Sequence, residues 1–214
     1  MNPVYEWGDL FKITVALLAI VNPIGGIPVF ISATGGWAAP ERARTARVAA
    51  VTVSSVLLAA LFLGDRMLEF FGISIDSFMV GGGILILSLA MSMLQARESP
   101  LRQTPEEAQE VGDRQAVGVV PLGIPLLAGP GAISSVIIAA HRTHGSLFGH
   151  IQLMLPILFV SLLVWSVFLL SARIASRLGT TGINIATRLM GLILAAMAIE
   201  FIAKGLGGLF PKLL

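Results

Sequence analysis

No cysteine occurs in the 214-residue chain, so disulfides and thiolate metal sites are excluded at the outset. Charge is scarce too. Asp, Glu, Lys and Arg make up 12% of the residues, against roughly 25% in an ordinary soluble domain, too few to cover a chain of this size with a polar shell. No glycine-rich nucleotide loop, Ser-His-Asp set or pair of catalytic carboxylates appears. The chain is therefore not read as an enzyme, no cofactor is expected, and an ATP motor would have to come from a separate subunit. The three histidines, His141, His144 and His150, flank one short loop with no carboxylate or cysteine near them. They are read as polar loop residues, with no metal site.

What the chain has in quantity is apolar surface: 56% of residues are hydrophobic and the mean hydropathy is +0.89. Counted in spans of about 20 apolar residues, six segments fit, near 10–33, 46–64, 72–94, 116–140, 151–171 and 183–209. The expected fold class is all-α, a polytopic membrane protein whose principal partner is the lipid bilayer. The first apolar stretch follows Glu6 and Asp9, has only Lys12 as a nearby cation, and runs too long for a signal-peptide core, so it reads as the first span. The net charge of +2 does not point to nucleic acid, because the basic residues fall between spans, where they report orientation. Arg42, Arg44, Arg47, Arg97, Arg102, Arg114, Arg173 and Arg177 fall on one side. Lys12, Arg66, Arg142 and Lys212 fall on the other. The positive-inside rule makes the first side cytoplasmic and leaves both termini outside.

The longest polar interval, Gln95 to Gln115, contains the helix breakers Pro100 and Pro105 and divides the spans three and three. The expected units are 1–94, a cytoplasmic linker at 95–115, and 116–214. The halves resemble one another. Gly72-Ile73-Ser74-Ile75-Asp76-Ser77-Phe78-Met79-Val80-Gly81 lies over Gly182-Ile183-Asn184-Ile185-Ala186-Thr187-Arg188-Leu189-Met190-Gly191 without a gap. Val21-Asn22-Pro23-Ile24-Gly25-Gly26-Ile27-Pro28 likewise lies over Ala128-Gly129-Pro130-Gly131-Ala132-Ile133-Ser134-Ser135. A unit with an odd number of spans must run the other way in its second copy, which is the inverted-repeat plan of many secondary transporters.

Both proline-glycine motifs fall at the midpoints of their spans. A proline leaves the carbonyl four residues earlier without its helical donor, so Pro23 frees Ala19, Pro28 frees Ile24 and Pro130 frees Leu126. Unpaired backbone is tolerated at that depth only where protein or a water-filled cavity satisfies it. The first and fourth helices are thus expected to be broken around an interior site. The N-termini of the two half-helices beyond the breaks would meet there and favour an anionic or strongly polar group. The candidate site is Asn22, Gly25, Gly26, Gly129, Gly131, Ser134 and Ser135, shaped by Pro23 and Pro130. The plainer reading is that prolines and glycines serve only as kinks and packing faces.

Gly81, Gly82 and Gly83 are read mainly as a packing face, with Ser88 and Ser92 further along the same span. Asp76 and Glu200 are the candidates for ion coupling, to a proton or sodium. Glu200 lies one turn from Lys204, as a snorkelling pair would, while Asp76 and Arg188 read as interfacial anchors.

Asn22-Pro23-Ile24-Gly25-Gly26-Ile27-Pro28-Val29-Phe30 and Pro121-Leu122-Gly123-Ile124-Pro125-Leu126-Leu127-Ala128-Gly129-Pro130-Gly131-Ala132-Ile133-Ser134 together resemble the MarC family of bacterial and archaeal membrane proteins, which includes SnatA-type transporters of small neutral amino acids. The likeness covers essentially the whole chain. It implies six spans in the inner membrane, kinship with LysE-like exporters and, through the SnatA-type members, a small amino acid as solute. The expected function is secondary transport of a small polar or zwitterionic solute by alternating access. The alternatives are an aquaporin-like passive channel and a non-transporting protein whose glycine faces mediate assembly, and a homo-oligomer is compatible with each.

Overall fold

The computed structural model describes residues 5–95 and 127–211. Apart from Gln95, the linker expected at 95–115 lies outside those residues, as does the fourth span before Leu127, including the Leu126 carbonyl. Among the described residues seven helices run in order: α1 (Trp7–Val21), α2 (Ile27–Ala33), α3 (Ala39–Phe71), α4 (Ile75–Leu94), α5 (Pro130–His141), α6 (Leu147–Leu169) and α7 (Ser171–Leu209). No strand occurs among the described residues.

Among the described residues four helices, α3, α4, α6 and α7, are long and apolar enough to cross a membrane. The first expected span misses that length because it is cut in two, fifteen residues in α1 and seven in α2. Large apolar side chains stand exposed along the outer faces, for example Phe62, Met67, Ile84, Ile151, Leu155 and Leu158. Exposed apolar side chains in this number are suited to lipid.

Helix ends follow local chemistry. The Glu41 carboxylate accepts the Ala38 N–H at 3.1 Å at the head of α3, and Ser74 accepts the Ser77 N–H at 3.2 Å at the head of α4. α3 stops at Gly72, whose φ of 65° is the left-handed cap that glycine adopts freely. The corresponding turn between α6 and the last span is displaced from its expected place. The positive φ, 61°, belongs to Gly179, which interrupts α7, and not to Gly182, the residue laid over Gly72 in sequence. Gly182 continues the helix, so the overlay of the third and sixth spans slips by three residues at this junction.

Three helix pairs pack in opposite senses. Tyr5, just before α1, meets Ala139 late in α5, while Ile20 near the end of α1 meets Gly131 at the start of α5. Arg42 at the start of α3 reaches Ser171 beyond α6, while Phe62 further along α3 stacks on His150 early in α6. On α4, Asp76 meets Gly205 and Gly208 of α7, Gly83 meets Ala198 and Ile202, and Ala90 and Met93 meet Gly191.

The α4–α7 contact depends on missing side chains. A Cβ on Gly205 would stand 2.6 Å from the Asp76 carbonyl oxygen and 3.0 Å from the Val80 nitrogen, both backbone atoms. Gly205→Ala should therefore lower stability by about 1–3 kcal/mol through overpacking. Gly81, where an added Cβ meets nothing within 4 Å, is the control. Thermal unfolding in detergent should show a lower midpoint for Gly205→Ala and no loss for Gly81→Ala. Gly82 and Gly83 are packing positions as expected, whereas Gly81 lies in open space.

A second long-range anchor fixes the segment ahead of α1. The Gln152 amide accepts the Tyr5 N–H at 3.2 Å and donates to the Tyr5 carbonyl at 2.9 Å. The Tyr5 hydroxyl donates to the Ala139 carbonyl at 2.5 Å. Burial pushes the Tyr5 pKa up from 10.0 to about 12, opposed by the nearby Arg142 charge and reinforced by Asp9. The folded state thus favours the neutral hydroxyl. Its stabilising contribution is complete below pH 10 and is lost as pH rises from 10 towards 12. Because the chain has one tyrosine, phenolate absorbance should titrate near pH 12 in the native protein and near pH 10 after denaturation. Tyr5→Phe should cost about 1 kcal/mol.

Candidate functional site in the interrupted first helix

α1 ends because Pro23 cannot donate to the Ala19 carbonyl. Asn22 takes the left-handed conformation, φ 45° and ψ 65°, which asparagine tolerates better than most residues. Its backbone N–H still closes α1 on Leu18 at 2.9 Å, and its side-chain oxygen accepts the Gly25 N–H at 3.2 Å. The turn then closes on itself. Gly26 N–H donates to the Asn22 carbonyl at 3.2 Å and Ile27 N–H to the Ile24 carbonyl at 3.1 Å, after which α2 begins.

The expectation that Pro28 leaves the Ile24 carbonyl free is thus corrected: a bond from Ile27, three residues on, replaces the lost one from residue 28. Of the donors expected around the head of the half-helix beyond the first break, the Gly25, Gly26 and Ile27 N–H groups are taken up inside the turn.

The break leaves three fully buried backbone acceptors open. Among the described residues, no donor reaches the carbonyls of Ala19, Ile20 or Val21, and these residues are 0%, 2% and 0% exposed. Beside them Asn22 is 2% exposed, and its Nδ2 is a buried polar atom without a hydrogen-bond partner. Burying an unpaired polar group costs on the order of 1–3 kcal/mol in proteins. This cluster is therefore an expensive local feature that packing alone does not require.

The second motif supplies the complement. α5 starts at Pro130 with Gly129 as its N-cap, and the first helical carbonyl bonds run from Ala132 and Ile133 to the Gly129 oxygen at 3.0 and 3.2 Å. The Gly131 N–H meets no acceptor among the described residues. Gly131 is wedged between α1 and α4: a Cβ there would lie 3.4 Å from Ile20 and 3.2 Å from Ile86. Because α1 and α5 run oppositely, the carbonyl-bearing end of α1 lies beside the donor-bearing end of α5.

The other candidates sort themselves around this junction. Ser134 and Ser135 are buried at 4% and 7% exposure, and Ser134 packs against Gly82 of α4. Gly26 sits under the Phe168 ring, which stacks on Phe30 with centroids 4.5 Å apart. Pro23 is buried, whereas Pro130 is exposed. Gly25 faces Asn22 and also Thr187 of α7, whose Oγ1 would be 3.1 Å from an added Cβ. In the sequence, the repeat alignment that lays Thr187 over Ser77 is the one signal that points to Thr187.

Asp76 and Glu200 are not brought to the junction. Asp76 is half-buried at the head of α4, six residues or about 9 Å of helix rise from Gly82, with its carboxylate against Gly208. Glu200 is exposed and paired with Lys204 at 2.5 Å, as a snorkelling pair would be. The reading that no carboxylate lies near the histidine loop is overturned, since the Asp65 carboxylate, from late in α3, is 3.1 Å from His141 Nδ1. Sequence distance hid this pair. Among the described residues, no group of three metal-ligating side chains forms.

Helices of spanning length, apolar outer faces and a helix interrupted among buried residues define an integral α-helical membrane protein. The chain belongs to the MarC family: the model described as "MarC family integral membrane protein" matches residues 7–210. It is 45% identical to the UPF0056 membrane protein YhcE of Escherichia coli (strain K12), over 98% of this chain and 97% of that protein. It is 39% identical to the UPF0056 membrane protein YvbG of Bacillus subtilis (strain 168), over 95% and 97%. A UPF0056 membrane protein of Methanocaldococcus jannaschii is 36% identical, over 90% and 93%. No solved structure matches the chain significantly.

Proposed function

We propose that the chain is a secondary transporter of a small polar or zwitterionic solute, with small neutral amino acids the leading class, working by alternating access around the α1–α2 and α5 breaks. The observation that carries this reading is the partnerless Asn22 Nδ2, buried next in sequence to three carbonyls that no donor reaches among the described residues. An ammonium group would be received by the carbonyls of Ala19, Ile20 and Val21. A carboxylate would be received by Asn22 Nδ2 and the Gly131 N–H, with Gly25 beside Asn22, Gly129 at the head of α5, Ser134 and Ser135 one turn further along α5, and Gly26 packed under Phe168. A zwitterion needs both kinds of partner side by side, and oppositely directed helix ends offer them.

The architecture proposed with it is six spans in two inverted halves. Its support is the opposed packing of α1 on α5, α3 on α6 and α4 on α7, each a pair of sequence counterparts or the continuation of one. In this reading the chain sits in the bacterial inner membrane with both termini outside, following the arginine distribution. Asp76, partly enclosed by α7, is the stronger candidate for coupling to a proton or sodium, and Glu200 the weaker.

The test is transport in proteoliposomes containing the full chain, using a panel of labelled glycine, alanine and larger amino acids. Saturable uptake with counterflow is expected. Conductance without saturation or exchange would replace the carrier with a passive channel. No movement of any solute would favour the non-transporting reading.

A further inference from the structure

A groove of about 340 Å³ opens between α3 and α6, away from the interrupted helices. It is lined on α3 by Arg47, Ala50, Val51 and Ser54, positions that share one face over two turns, and on α6 by Ser161, Leu162 and Trp165. Its size is within the range of about 300–1,000 Å³ typical of small-molecule sites. Val51 and Leu162 are more than half exposed, so the groove opens on the apolar outer surface of the bundle. The Ser161 hydroxyl is already bonded to the Ile157 carbonyl at 2.9 Å, which leaves the floor nearly apolar.

The charge lies at one end. The opposed sense of α3 and α6 brings Trp165 to the Arg47 end, while Ser54 lies about 10 Å further along the axis. Arg47 is exposed and has no ion-pair partner among the described residues. Arg44 is exposed one turn away. Arg42 donates to Ser171 at 3.5 Å, which draws the head of α7, with exposed Arg173 and Arg177, toward the same end. A hydrocarbon-lined slot ending in several cations and an indole matches one ligand chemistry, an acyl chain capped by an anionic phosphate headgroup.

We infer that this groove is a binding site for an anionic phospholipid, with an acyl chain along Ala50, Val51 and Leu162 and the phosphate on Arg47. It is separate from the proposed solute site and does not depend on it.

The chain has three tryptophans, Trp7, Trp37 and Trp165, so Trp7→Phe with Trp37→Phe leaves Trp165 as the sole emitter. That protein is placed in vesicles carrying a trace of brominated phosphatidylglycerol or brominated phosphatidylcholine, and Trp165 quenching gives the binding preference between them. Preference for phosphatidylglycerol is expected, falling about fivefold on Arg47→Gln, the scale of one juxtamembrane cation near an anionic surface. Arg188→Gln, exposed elsewhere on α7, should leave it unchanged. Equal quenching by the two lipids in the parent, or a preference untouched by Arg47→Gln, would overturn the inference. The second result would give the arginines to another occupant, such as an acidic segment of the chain itself.

Discussion

Asn22→Gly should fold and insert normally yet lose about 10- to 100-fold in transport efficiency. Glycine accepts a φ of 45° without strain, so the turn that ends α1 keeps its backbone path. What is removed is the side-chain amide: one bond to the Gly25 N–H at 3.2 Å and the buried, partnerless Nδ2. A hydrogen bond to a charged group contributes roughly 1.5–3 kcal/mol, which sets the expected range. Asn22→Ala is a weaker experiment, because alanine adds left-handed strain of about 1–2 kcal/mol and mixes folding with function. Efficiency from initial uptake rates, compared with the unfolding midpoint of the same samples, separates the two. Unchanged uptake by Asn22→Gly would remove Asn22 from the site.

The second large effect is expected at Gly25. A Cβ there would overlap the Asn22 side-chain amide and stand 3.1 Å from Thr187 Oγ1. Gly25→Ala must therefore displace the Asn22 amide, and it should abolish most transport while lowering stability by about 1–3 kcal/mol. The decisive comparison is the double variant. With Asn22→Gly the clashing group is gone, so adding Gly25→Ala should cost little further stability, giving a coupling of the same size and opposite sign to the single cost. Additive stability losses would mean that Gly25 is constrained by something other than Asn22.

Those two experiments fall on features the sequence displays unequally. Pro23 dictates the end of α1 through a missing donor, a local effect, and the break was legible for that reason. The start of α5 at Pro130 was legible on the same grounds. The path of the chain after each proline was not. Whether the Ile24 carbonyl stays free depends on whether the turn tightens enough for Ile27 to reach it, which the proline and glycine spacing does not specify. Proximity between distant segments was hidden as well: Thr187 at Gly25, Asp65 at His141, Gln152 around Tyr5 and Gly208 against Asp76 are each set by how helices cross. Glycine spacing correctly marked α4 as a packing face, but which of Gly81, Gly82 and Gly83 faces a neighbour depends on helix rotation. The positive φ falls at Gly179, inside α7, rather than at Gly182, and the gap-free overlay carried no information about where that kink lies.

The account rests on the Asn22 amide being offered to solute, and the most direct measurement observes that group. With asparagine-selective 15N labelling and Asn22→Gly to assign the signal, the Asn22 Nδ2 resonance in lipid should shift saturably on adding alanine, with the half-saturation seen in transport. An Asn22 signal that stays fixed at alanine concentrations that saturate transport would contradict the account.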